Sequence, residues 1–474
     1  MSNRDELNGI DPKILKRSPL ITKQGYELYL KMREHTDAPK WTYTAGDMVG
    51  KTELKYIKIF KAGLKKKRRK ENIGDRPPLS LLKKFNLLHK RIISFMQRVP
   101  EEGFLNFDWE KIHTMCREDI AKYPEKLIPV DADLERMNIY QTAGTTGHAL
   151  MVPNAAEGTG CYLPMLDFVL ARYGVKPVYK PGRVACFLIG AQKKTVTYPT
   201  VLSYWKQSGF AKININPSEW PTSTSPHHFF TAFKPQFLTG DPISFAEMLR
   251  MQIPVKPAAL VTTAVAMSAG LKRKLATHYN CPVIDWYSLT ETGPIGYFCP
   301  KSDAYHILPH DIYVEALDSK GRKVAAGKRG EITISGGRNP FLPLLRYRTG
   351  DWGRLDFTAC TCGDIMPRIF ELEGREPVIF RAFDGKPINP IDVSRIIRAF
   401  PIVQHQFLQK KNGACEIAVR PIISDDSSFL ANLQAALLGL FGAVKISVKL
   451  DMKMGNRKKS KKIIPYKSQC LLYD

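Results

Sequence analysis

From about residue 137 onward, short apolar runs alternate with stretches of helical periodicity, and this alternation constrains the chain more than any other feature. Val184–Ile189, Gln236–Leu238, Ala259–Val261 and Val283–Ile284 are too short and too apolar for surface helices. They read as buried strands. Between them, Pro242–Met251 and Ser268–Tyr279 carry helical spacing. A sheet layered by helices is the architecture that buries both kinds of segment. Residues 310–357 turn β-rich, with Ile312–Leu317 and Gly330–Ser335 separated by glycines. The last hundred residues alternate again: a helix at Asp392–Ala399, another at Ser428–Phe441 and a strand at Lys445–Leu450. Residues 1–130 read mostly helical, and Leu82, Phe85, Leu88, Ile92 and Phe95 predict one helix over Leu81–Met96.

The expected fold is therefore α/β. A large N-terminal domain over 1–375 holds layered sheets and helices, and a small, mobile α+β domain follows over 376–474. A chain of 474 residues has room for two to four domains at roughly 100–200 residues each. Charged residues at 24% and hydrophobic ones at 44% exclude a disordered or fibrous chain.

Charge is unevenly placed. Lys and Arg number 71 against 45 acidic residues, a net charge of +26. Half of that excess lies in 51–98, where 16 basic residues face three acidic ones. Lys65–Lys70 is the densest run; no stacking aromatics interleave it and no nucleic-acid signature follows it. A solvated surface is the favoured reading, so nucleic acid is an unlikely partner. The most apolar stretch, Phe429–Val444, is interrupted by Asn432 and Gln434 and is shorter than the roughly 20 residues a membrane span needs. The nine cysteines suit reduced thiols or metal ligands better than a disulfide framework, and a cytoplasmic location is expected.

Four segments carry chemistry. Thr142-Ala-Gly144-Thr145-Thr146-Gly147 follows the extended stretch Asn138–Gln141, and such a turn can wrap N–H and hydroxyl groups around phosphate oxygens. Tyr287-Ser-Leu-Thr290-Glu291-Thr-Gly293 offers an aromatic face, a hydroxyl and a carboxylate, suited to a purine, a phosphate and Mg²⁺. Arg346-Tyr-Arg-Thr-Gly-Asp351 ends in an aspartate suited to vicinal ribose hydroxyls, and Glu373-Gly-Arg375 supplies a guanidinium ahead of the last domain.

In this order the segments resemble the adenylate-forming ligase superfamily over about residues 120–474. The text is most similar to the phenylacetate–CoA ligase and coenzyme F390 synthetase branch, in which RYRTGD is followed by CTCG and then GR. The resemblance implies that Thr142, Gly144, Thr145, Thr146 and Gly147 hold the ATP phosphates. It puts Tyr287 against adenine, Thr290 at the phosphates, Glu291 at Mg²⁺, Asp351 on the ribose and Arg375 at the domain junction. It also implies a mobile C-terminal lysine over the reacting centre, Lys459 by its spacing to Ile463-Ile464, with Lys461 nearly as well placed.

The implied activity joins a carboxylic acid, of aromatic type by branch resemblance, to AMP and then to a thiol, commonly that of CoA. An amine or the phosphopantetheine of an acidic carrier protein is the alternative acceptor. A non-catalytic basic scaffold that binds nucleic acid or membrane is the rival of another class. A homodimer is the assembly entertained. The sequence also departs from the family pattern: His148-Ala149 stands where a loop lysine is usual, Ala264-Val265 where Gly-Glu is usual, and Pro377 where an aspartate is usual. The acyl pocket is expected near Tyr162, Phe187 and Trp205. Finally, Cys299, His306, Cys360 and Cys362 make a Cys₃His set of tetrahedral type, predicted to hold a structural Zn²⁺.

Overall fold

The computed structural model describes residues 9–66, 76–141, 150–192, 195–263, 267–374, 380–385, 387–388, 390–422, 427–452, 454 and 466–469. Its centre is one 12-stranded sheet with two differently built halves. In the first half, Val283–Leu289, Leu260–Thr262, Phe237–Gly240, Val184–Gly190 and Ser208–Asn214 run parallel, closed by the antiparallel Tyr198–Leu202. These strands are mostly apolar because helices cover both faces. Adjacent residues on one strand therefore serve separate cores: Phe187 packs with Leu28, Phe229 and Leu271, while Cys186 packs with Met165, Trp205 and Ile284.

The flanking helices begin where the sequence supplies caps. Asp241 accepts from the Ser244 N–H at 2.8 Å to open Pro242–Arg250. Ser268 does the same for Leu271 at 3.2 Å, opening Ala269–Tyr279, which ends at Asn280 in the left-handed region with φ +48°. A side-chain oxygen in these positions satisfies an otherwise orphaned donor.

The second half is antiparallel, from Gly293–Phe298 through Ala304–Ile307, Arg368–Gly374, Leu344–Asp356 and Arg329–Gly336 to Ile312–Leu317. It curls strongly about an apolar interior that includes Ile295, Ile307, Ile332 and Ile369. The predicted helix over Leu81–Met96 is broken. Leu79–Leu88 is α-helical, His89–Arg91 is a 3₁₀ turn, Ile92 is extended (φ −128°, ψ 115°), and Ile93–Arg98 is a second helix. The break turns Ile92 and Phe95 into one cluster with Phe85, Phe104 and Tyr347 against the antiparallel half. Spacing alone cannot see this, because a broken helix keeps its apolar count.

C-terminal residues build a separate four-stranded sheet ordered Ile446–Leu450, Cys415–Pro421, Ile402–Gln409, Tyr466–Ser468, covered by the helices Pro390–Arg398 and Ser427–Phe441. It rests on the larger body through Arg420, which donates to Glu247. Gly270 also lies there, where a Cβ would stand 2.6 Å from the backbone of Phe400 and Pro401. Among the described residues, no helix is long and apolar enough to cross a membrane.

Candidate functional site

Val283–Leu289 is the hinge of the sheet, parallel to Leu260–Thr262 on one side and antiparallel to Gly293–Phe298 on the other. The end of such a strand is where open α/β sheets leave a crevice for ligands. Thr290, Glu291 and Thr292 form the turn at that end, with Thr290 exposed and Glu291 buried. Tyr287 is buried with the barrel-like interior, and its hydroxyl donates to Asp351 Oδ2 at 2.8 Å. In a flat sheet these two strands, four spacings apart, would be about 19 Å from one another. The curl of the antiparallel half is what joins them.

Asp351 lies inside the long strand Leu344–Asp356, just after Gly350 at φ +77°. Its backbone is pinned on both sides. Thr349 Oγ1 accepts from the Asp351 N–H at 3.1 Å and donates to the Ile332 carbonyl at 2.7 Å. Glu331 takes the Gly350 N–H at 3.0 Å and the Arg348 Nε at 2.7 Å. Burial, reinforced by the Asp351 charge, holds the Tyr287 phenol far above its ordinary pKa, so it remains a donor.

Glu291 accepts from the Tyr347 hydroxyl at 2.6 Å. Close by, Gly293 (φ +69°) leaves room for Tyr162, whose hydroxyl would lie 2.7 Å from a Cβ there. Burial pushes the Tyr162 phenol up to about 12. Tyr162 is thus beside the site, but Phe187 and Trp205 are not. Both are buried in cores, Phe187 with Leu28 and Phe229 on one face of the sheet and Trp205 with Met165 and Ile284 on the other. Thr142, Gly144, Thr145, Thr146, Gly147, Arg375, Lys459 and Lys461 lie outside the described residues, as do His148, Ala149, Ala264, Val265 and Pro377.

The Cys₃His set converges. The ligand atoms of Cys299, His306, Cys360 and Cys362 all lie within 4.8 Å of one another. Cys299 Sγ is 3.7 Å from Cys360 Sγ, and Cys362 Sγ is 3.2 Å from His306 Nε2. Sulfurs bound to one tetrahedral zinc at about 2.3 Å stand about 3.8 Å apart, so the donors fit zinc. Surrounding groups fit as well. His306 Nδ1 faces the Met366 carbonyl at 3.0 Å, which leaves Nε2 to the metal, and the Lys301 and Asp364 N–H groups donate to Cys299 and Cys362 at 3.3 Å. The close Cys-x-Cys spacing works because Cys360 and Cys362 lie on a turn, with the Gly363 N–H on the Cys360 carbonyl at 3.0 Å.

The chain aligns to solved structures of 2-hydroxyisobutyryl-CoA ligase in its postadenylation state. The complex with R3-HIB-AMP gives a TM-score of 0.59 at 13% identity, covering 86% of this chain and 89% of that one. The 2-HIB-AMP complex gives 0.58 at 15% identity, with the same coverage. The chain therefore shares the fold of these solved CoA-ligase structures. In sequence, the chain is 31% identical over 118 residues to the phenylacetate-coenzyme A ligase of Thermus thermophilus. That match covers 24% of this chain and 26% of the relative, so the chain spans about a quarter of the curated relative's length. No family model matches.

Sequence reasoning passed over Tyr347 and Arg346, although both sit within the RYRTGD segment. Nothing local signals that Tyr347 faces a carboxylate 56 positions away.

Proposed function

We propose that this protein activates a carboxylic acid with ATP and passes the acyl group to the thiol of CoA. The observation that carries the reading is the meeting of Tyr287 with Asp351 beside the Glu291 turn, at the end of the hinge strand of a ligase-type sheet. In the first half-reaction a carboxylate oxygen of the acid attacks the α-phosphorus of ATP. The bond to the β-phosphate bridging oxygen breaks, giving acyl-AMP and pyrophosphate. In the second, the CoA sulfur attacks the acyl carbon, AMP departs with the carboxyl-derived oxygen, and the thiol proton passes to solvent or base.

Asp351 would take the ribose hydroxyls, kept in place by Tyr287 and the Thr349 turn. Thr290, exposed at the turn, would reach the phosphates, and Glu291 would hold Mg²⁺, whose charge offsets that of the polyphosphate when bound. Thr142, Gly144, Thr145, Thr146 and Gly147 would wrap the phosphates, and Arg375 would act at the domain junction. Lys459, or Lys461 in its place, would bring a cation over the reacting centre after movement of the small C-terminal domain. We assign an aromatic acid as substrate on the phenylacetate ligase match, and the reduced thiols of a zinc site suit a cytoplasmic setting.

Acid-dependent ATP–pyrophosphate exchange across aromatic, fatty and amino acids, with Mg²⁺ and without CoA, tests the reading. Exchange with one acid class is expected. Glu291→Gln and Asp351→Ala should each lower it by about 100-fold or more, the scale of removing a charge-stabilising group from an active site. Unchanged exchange in either variant would remove that residue from the site. Silence across the panel, with no ATP binding, would overturn the adenylation reading itself.

A further inference from the structure

We infer that Tyr347 is the positioning residue for Glu291, and that the segment 109–115 of the N-terminal region sets Tyr347 in place. The inference rests on the adenylation reading and adds a part to its machinery. Tyr347 and Glu291 are both buried, and the phenol donates to Glu291 Oε1 at 2.6 Å. Among the described residues Tyr347 is the group that hydrogen-bonds that carboxylate, and it does so through one oxygen, Oε1. A glutamate on a turn otherwise has three side-chain torsions to lose before it can serve as a metal ligand. One short hydrogen bond to a fixed phenol removes most of that freedom before a nucleotide arrives.

The phenol is itself held from both flanks. Met115 clasps the backbone around Tyr347: its N–H donates to the Arg346 carbonyl at 3.0 Å, and its carbonyl accepts from the Arg348 N–H at 2.8 Å. Arg346, fully buried at φ +46°, sends its guanidinium to the carbonyls of Glu110 at 3.0 Å, Ile112 at 2.6 Å and Gly321 at 3.2 Å, and pairs with the buried Glu315 at 3.5 Å. A buried arginine with this many partners fixes the adjoining residue firmly. Tyr347 belongs to the same buried cluster as Phe85, Phe95 and Ile112, so 79–115 supplies both its backbone clasp and part of the core around it. That region contains none of the nucleotide-site segments. Its structural task is to aim a carboxylate in a turn far along the chain.

The test is a Mg²⁺ titration of the thermal shift produced by ATP, run on wild type, Tyr347→Phe, Glu291→Gln and the double variant. Tyr347→Phe should raise the Mg²⁺ half-saturation about tenfold, the scale of one hydrogen bond to a charged group, and excess Mg²⁺ should restore the shift. In the Glu291→Gln background the same substitution should change the midpoint less than about twofold, since a positioning residue has nothing left to position. Glu291→Asp, which withdraws the carboxylate while sparing the Tyr347 packing, should reproduce the Tyr347→Phe midpoint even if Tyr347→Phe melts early. An unchanged midpoint in Tyr347→Phe, or an equal loss in both backgrounds, would overturn the role. If wild type gives no MgATP shift at all, the adenylation reading falls and the inference falls with it. If wild type shifts and Tyr347→Phe matches it, only the tyrosine's role is lost.

Discussion

Removing the metal expected at Cys299, His306, Cys360 and Cys362 is the perturbation whose size the structure allows to be worked out. The site joins the Gly293–Phe298 and Ala304–Ile307 strands to the turn at 360–363, and Arg172 ties it to the helix Tyr162–Arg172 by donating to the Cys362 carbonyl at 2.9 Å. The four donors already stand at zinc-ligand separations, so binding needs little rearrangement. A metal present at about 1,000 times its dissociation constant stabilises the fold by about 4 kcal/mol. For 474 residues, at about 2.1 cal/mol/K each, the unfolding entropy is about 1 kcal/mol/K, so that stabilisation is worth about 4 °C in Tm. The assay is metal content by plasma mass spectrometry together with calorimetry before and after chelation. One zinc per chain and a Tm drop of about 4 °C are expected, with Cys360→Ser losing the metal and melting like the chelated protein. Protein purified without chelator that carries under a tenth of an equivalent of any metal, and melts unchanged after chelation, would refute the assignment.

Other outcomes test the remaining structure. Burial and the nearby Arg398 guanidinium hold His405 down to about 4, below its unfolded value of 6.5. The unfolded chain therefore binds the extra proton first, and the stability His405 contributes at neutral pH is lost as pH falls from about 6.5 towards 4. His405→Asn should flatten that part of the stability–pH curve in urea melts; an unaltered slope would contradict it. Gly270→Val places a side chain against Phe400 and Pro401, where even a Cβ has only 2.6 Å. It should speed proteolytic release of the C-terminal unit while leaving the zinc content intact, and unchanged cleavage would mean that this contact does not dock the unit.

The strands Val184–Gly190, Phe237–Gly240, Leu260–Thr262 and Val283–Leu289 and the two helices among them were legible because the strands are buried and parallel and the helices carry side-chain caps, and their apolar runs and Asp241 or Ser268 signals are local. The helix over Leu81–Met96 was misread because Ile92 and Phe95 satisfy the same spacing on either side of a break. Of the candidate site, the segments 287–293 and 346–351 do meet, through Tyr287 and Asp351, whereas Phe187 and Trp205 are buried in separate cores. Phe187 lies on a strand and Trp205 in the turn between two others, and tertiary packing puts them in different cores.

The sequence by itself determined most of the local elements, and it named the four Cys and His residues that converge and the segments proposed for the nucleotide. Those depend on backbone periodicity, caps and side-chain chemistry, all of which are short-range. The tertiary structure decided which of these groups meet. Tyr287 reaches Asp351 only because the antiparallel half curls through about 19 Å of flat-sheet separation. Tyr347 reaches Glu291 only because 109–115 clasps its strand from outside the sheet. Such contacts are fixed by sheet curvature and packing of the whole body, and no window of neighbouring residues contains that information.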